Sequence, residues 1–73
     1  MQTERVAIPS KVLEGIEAVR VSGKTNMLDV PVVKKLAHKM GRRAAAEWID
    51  EHVALYYVGV FRGFEATDEG GDA

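Results

Sequence analysis

Residues Val53 to Phe61 read Val-Ala-Leu-Tyr-Tyr-Val-Gly-Val-Phe, nine positions without a charge. They continue a helical pattern that begins near Ala44 and are apolar on every side of the helix. A helix of that kind has to be covered on every side. The chain has 73 residues. Domains of this size are marginal on their own core and usually add disulfides, a metal or association with another chain. Cysteine is absent, which removes disulfides and thiolate-bound zinc. Association is what remains. The pattern predicts a final helix that packs on a second copy of the chain or on another protein.

The rest of the composition narrows the class. With 47% apolar and 29% charged residues, the chain is globular rather than disordered, and its length allows one domain. A net charge of −1 supplies no global field toward nucleic acid or an acidic surface. No apolar run approaches the roughly 20 residues of a spanning helix. Met1 to Arg5 lacks the apolar core of a signal peptide. The expectation is a soluble protein of the cytoplasm, without a membrane partner.

Three parts follow along the chain: an N-terminal arm at 1–8, a helical domain at 9–64 and an acidic tail at 65–73. Ile8 precedes a proline and is biased toward an extended backbone. Pro9 and Ser10 suit a helix start. Val12, Leu13, Ile16 and Val19 then make one apolar stripe, with Gly15 placed to let another helix approach and Gly23 as the stop. Thr25, Asn26 and Asp29 mark a turn, because such side chains bond local main-chain groups. Asp29 is the natural cap of a second helix with Pro31 in its first turn. Met27 and Leu28, apolar within that turn, should plug the core. The second helix runs from Val30 to Met40, with Val32, Val33, Leu36, Ala37 and Met40 buried, and Gly41 ends it. The third begins near Arg43 or Ala44 and continues to Phe64, with a stripe of Ala45, Trp48, Ile49, His52, Val53, Tyr56 and Val60. The tail holds four acids and two glycines and is expected to be disordered. The expected fold is therefore all-α: a three-helix domain with a long third helix, after a short extended arm.

The run Ser22-Gly23-Lys24-Thr25-Asn26-Met27-Leu28-Asp29, with Ala37-His38-Lys39-Met40-Gly41, Trp48-Ile49-Asp50-Glu51-His52 and Gly59-Val60-Phe61-Arg62-Gly63-Phe64, resembles a family of short proteins. They are encoded by phages, prophages and some archaeal viruses and form a domain of unknown function. The resemblance extends from Ile8 to Glu65. Its most distinctive element is the Ser-Gly-x-Thr-Asn-Met-x-Asp turn. It implies a small accessory gene of a mobile genome, acting in an infected or lysogenic cell, and brings no catalytic residues.

Few constellations carry chemistry. Lys34, Lys35, Lys39, Arg42 and Arg43 are half of the Lys and Arg in the chain. They flank Gly41 in what is reminiscent of a helix-turn-helix, so phosphate neutralisation is one reading. A solvated helix face is the other. The next helix argues for the latter, because Glu47, Asp50 and Glu51 repel phosphate and no Asn, Gln or Ser stands in its first turn to read bases. His38 lies among lysines. His52 lacks the i, i+4 partner of a zinc hydrolase and reads as a hydrogen-bonded interface residue; a histidine so placed can titrate near neutral pH. Glu47 and Glu51 read as solvated. Lys24 after Gly23 lacks the rest of a phosphate loop. No enzyme, cofactor, metal or small-molecule substrate is expected.

The aromatics point elsewhere. Trp48, Tyr56, Tyr57, Phe61 and Phe64 are all five in the chain, and such residues dominate interface hot spots. The expected interface comprises Trp48, His52, Tyr56, Tyr57, Val60, Phe61 and Phe64, with Gly59 and Gly63 allowing close approach. The expected protein is a non-enzymatic binder, most simply a homodimer, whose further target is a host or phage protein. A small DNA-binding regulator is the alternative.

Overall fold

The computed structural model describes residues 4–67. Its elements are β1 (Val6–Ile8), α1 (Ser10–Ser22), α2 (Val30–Lys39), α3 (Arg43–Glu51), α4 (Val53–Arg62) and β2 (Phe64–Ala66). Four helices therefore stand where three are expected. β1 and β2 pair in parallel, Val6 with Phe64 and Ile8 with Ala66.

α1 begins as the sequence reads. Pro9 sits at its cap, and its carbonyl accepts the N–H groups of Val12 and Leu13 at 3.0 and 3.1 Å. Gly23 ends it at φ 66°, its N–H donating to the Arg20 carbonyl. This left-handed conformation is open to glycine at little cost. In the following turn the Asn26 side-chain oxygen accepts the Leu28 N–H at 2.8 Å, and the Asn26 carbonyl accepts the Asp29 N–H at 2.9 Å. Thr25 adds only a long contact of 3.5 Å to the same carbonyl. Asp29 occupies the cap of α2, but its side chain makes no capping bond. Its main-chain oxygen accepts the Val33 N–H at 2.9 Å, the ordinary first bond of the helix.

Gly15 fits its expectation. A Cβ built there would lie 2.5 Å from the Ala45 Cβ and 3.0 Å from the Arg42 Cβ, so α1 and α3 meet at nearly backbone distance. Val12, Ile16 and Val19 of α1 are buried with Val33 and Ala37 of α2 and Ala45, Ala46 and Ile49 of α3. Lys34 of α2 ties to Asp50 of α3 at 2.8 Å. That hydrogen bond, then the charge itself, holds the Asp50 carboxyl below its ordinary range. Both partners keep solvent contact, so the pair orients more than it stabilises.

Two helical expectations are corrected at the residue level. Val32 and Met40 are exposed rather than buried, as is Leu28, which does not plug the core; Met27 does, half-buried. α2 buries only the narrow arc of Val30, Val33 and Ala37, because α1 and α3 reach it from one side.

The long third helix is broken at His52, where φ −135° and ψ 51° leave the helical region. The His52 N–H is shared between the carbonyls of Trp48 at 2.9 Å and Ile49 at 3.3 Å. The ring Nδ1 also lies 3.0 Å from the Trp48 carbonyl. A side chain inserted into the hydrogen-bond ladder is a recognised cause of a kink. Size demands the bend as well. A straight helix over 43–64 would be about 33 Å long, the full 32 Å extent of the molecule, and could not return Tyr56 to the core.

The arm is not a separate part. Ile8 is fully buried, and the Val6 N–H donates to the Gly63 carbonyl at 3.0 Å. The tail at 65–73 starts as structure: Glu65 and Ala66 belong to β2, and the Thr67 N–H donates to the Ile8 carbonyl at 2.8 Å. Residues 68–73 lie outside the described residues.

Candidate functional site

α4 has the least polar sequence of the four helices, and its two sides meet different surroundings. Tyr56 and Gly59 are buried and Val60 is half-buried. These three fall within a third of the helix circumference at 100° per residue. On that side lie the turn at Met27 and Phe64 of β2.

Tyr56 anchors it. Its ring has no exposed surface, and its hydroxyl donates to the Met27 carbonyl at 2.6 Å. The bond closes the turn onto α4. Burial pushes the phenol from its ordinary 10 up to about 12, with a smaller contribution from Tyr57. A raised folded-state value means that this stabilisation is complete below about pH 10 and is lost as pH rises toward about 12. Chemical melts across that window should show stability falling in the native chain, with a shallower fall in Tyr56→Phe. Equal slopes would place no ionisation penalty on Tyr56.

The expected interface set divides on this geometry. Tyr56 is a core residue of its own chain and is corrected to that. Gly59 is corrected too: the residue that approaches it is Phe64 of the same chain, whose ring would collide with any Cβ there. Gly63 lies beyond the helix at φ 103°, where it turns the chain into β2 rather than opening a helix face. Trp48, His52, Val60 and Phe64 are half-buried. Trp48 stacks on His52 with ring centres 4.9 Å apart, and Phe64 packs edge-on to Trp48 at 6.3 Å and tilted on Tyr56 at 6.0 Å. Because the Trp48 carbonyl only accepts, the His52 contact requires the proton on Nδ1.

Tyr57 and Phe61, by contrast, are exposed. Phe61 is 76% exposed, while Val53, Leu55, Tyr57 and Val58 are each between 38% and 46% exposed. Val53, Tyr57 and Phe61 stand at i, i+4 and i+8 and form one ridge. Ala54 and Val58, also exposed, lie beside it. Arg62, at the C-terminal end, is the only charge on the helix. Val53, Leu55 and Val58 are absent from the expected interface, although the charge-free run that contains them was the available signal.

The basic run is partly committed. Lys34 is paired with Asp50. Lys35, Lys39, Arg42 and Arg43 are exposed, and among the described residues none of them makes an ion pair. They surround Gly41, at φ 76°, between α2 and α3. The exposed side of α3 carries Glu47, Asp50 and Glu51. Among the described residues no group of three or more His, Asp or Glu converges as a metal site, and no helix is long and apolar enough to cross a membrane.

Residues 8–63 match the family model for a domain of unknown function (DUF5049). No curated protein and no solved structure matches the chain.

Proposed function

We propose that this chain, which belongs to the DUF5049 family, is a small non-enzymatic accessory protein that acts by protein–protein binding through the outer face of α4. The first occupant of that face is a second copy of the chain. Its setting is the cytoplasm of a cell carrying a phage or prophage, and a host or phage protein is the further target. One observation carries the reading. Five large apolar side chains on α4 stay in water although the rest of the domain is folded around the opposite side. Grouped apolar exposure of this kind marks interaction surfaces.

Sedimentation from about 1 μM to about 1 mM, a span covering weak and moderate assembly, tests it. The native chain should grow in mass with concentration. Phe61→Glu should keep the melting curve, since exposed substitutions change stability by about 0.5 kcal/mol or less, and should weaken association on the order of tenfold or more, as at a hot spot. A monomer throughout the range would remove the self-association reading.

A second reading is DNA binding by Lys35, Lys39, Arg42 and Arg43, favoured by their exposure and lack of ion pairs among the described residues. The acidic side of α3 opposes it. Duplex affinity that drops steeply with salt, and is lost in the double variant Lys39→Glu with Arg42→Glu, is its expected signature. No binding at low salt dismisses it.

A further inference from the structure

We infer that the chain has a second folded form, an exchanged dimer. In it the break at His52 straightens, α3 and α4 join into one helix, and the segment 53–67 of each copy seats on the body of the other. The exchange uses the inner side of α4 and does not rest on the reading of its outer ridge.

Helical phase makes the first argument. Ala45 and Ile49 of α3 and Tyr56 and Gly59 of α4 are buried. Counted along one unbroken helix at 100° per residue, these four fall within an arc of about 80°, with buried Ala46 about 60° to one side. The residues are thus patterned for a straight helix with one covered face. No glycine or proline marks the bend, since residues 51–54 are Glu, His, Val and Ala. What marks it is the His52 ring at the Trp48 carbonyl, 3.0 Å away.

Backbone bonding makes the second. The first N–H groups of a helix have no acceptor within it, and His52 caps α4 without a side-chain bond. In a continuous helix Val53, Ala54 and Leu55 would donate to the carbonyls of Ile49, Asp50 and Glu51. Straightening therefore supplies acceptors that the bent chain lacks within α4.

The seat makes the third. Tyr56 bonds Met27, and Phe64 packs on Trp48. Val6 pairs with Phe64, Ile8 pairs with Ala66, and the Thr67 N–H donates to the Ile8 carbonyl. Every one of these contacts joins a residue before the break to one after it, so a second copy offers the same seat. A straight helix over 43–64 carries Tyr56 away from its own core, and only that second seat can receive it. Exchange of an identical element is a low-cost route to a dimer, and a short hinge invites it. The two forms share the seat and differ at the hinge: the closed chain keeps the ring-to-carbonyl bond, and the exchanged pair gains helix.

The hinge and the seat are tested separately, in full chains refolded from denaturant at low and high concentration and then sized. His52→Ala and His52→Gly both remove the ring and differ in helix preference, by a margin worth about fivefold per chain and so about thirtyfold per dimer. His52→Ala should exceed His52→Gly in dimer constant by a factor of that order. Ala7 and Glu65 are exposed register partners on β1 and β2. Neighbouring strands lie about 4.8 Å apart, within reach of a disulfide. The pair Ala7→Cys with Glu65→Cys, made with His52 intact and with His52→Ala, is oxidised and run on a denaturing gel. The closed monomer links within one chain. The exchanged dimer links two chains and runs as a covalent dimer, above the background of Ala7→Cys alone. A dimer fraction that runs as single chains overturns the exchange and leaves association through the ridge standing. Equal dimer constants for His52→Ala and His52→Gly, or no dimer from any of these chains, overturn it as well.

Discussion

Tyr56→Ala is expected to cost the fold about 3–5 kcal/mol, the range for truncating a buried aromatic. Total stability in small domains is typically about 5–15 kcal/mol, so this variant should melt far below the native chain or fail to fold. The ring is wholly buried, packs on Phe64 with ring centres 6.0 Å apart and is tied to Met27 across 29 residues. Its hydroxyl joins α4 to the turn between α1 and α2. Tyr56→Phe separates the two contributions. It keeps the ring and leaves the Met27 carbonyl without its donor, a loss of about 1 kcal/mol. Denaturant melts of the three proteins give both numbers. A Tyr56→Ala cost near that of Tyr56→Phe would mean that the ring does not pack as described.

The second large effect is expected at Gly15, where two terms oppose each other. Alanine in a helix interior is favoured over glycine by about 1 kcal/mol. Here its methyl would stand 2.5 Å from the Ala45 Cβ, closer than carbon atoms approach, and α1 and α3 would have to separate. Overpacking of this kind costs about 1–3 kcal/mol. Gly15→Ala should thus lower stability despite the better propensity, and Gly15→Leu should lower it severely. The exchange Gly15→Ala with Ala45→Gly returns the missing space. It should be more stable than the sum of its single changes predicts, as residues in contact do not add. A stabilised Gly15→Ala would show that the helices can part freely.

Gly15 lies apart from the exposed ridge, whereas the Tyr56 ring packs edge-on to Tyr57 of that ridge with centres 6.1 Å apart; Phe61→Glu alters the ridge itself. On the function proposed above, Gly15→Ala should therefore change stability and Phe61→Glu association, each largely without the other.

How much of this was legible in the residues depends on the range of the interaction. Gly23 in its left-handed stop, Pro9 at the head of α1 and Asn26 bonding two residues onward are short-range effects, and each stands in the sequence with its cause beside it. The close approach at Gly15 was legible as a possibility, since a glycine inside an apolar stripe has few other uses. Its neighbour Ala45 was not. The bend at His52 was missed because the 3.6-residue period runs through it unbroken. Only a sidewise bond from the ring to the Trp48 carbonyl reveals it.

Periodicity over Val53–Phe61 determined that a helix would form and that it would be too apolar to stand in water alone, because both follow from neighbours along the chain. Which side of it is spent on the core was decided by tertiary structure. The strand pairing of Val6 with Phe64 and the kink at His52 swing α4 so that Tyr56 and Gly59 turn inward and Tyr57 and Phe61 turn out. Adjacent tyrosines are chemically alike. A rotation of about 100° between successive helical residues, acting against a core whose position depends on contacts distant in sequence, gives them opposite fates.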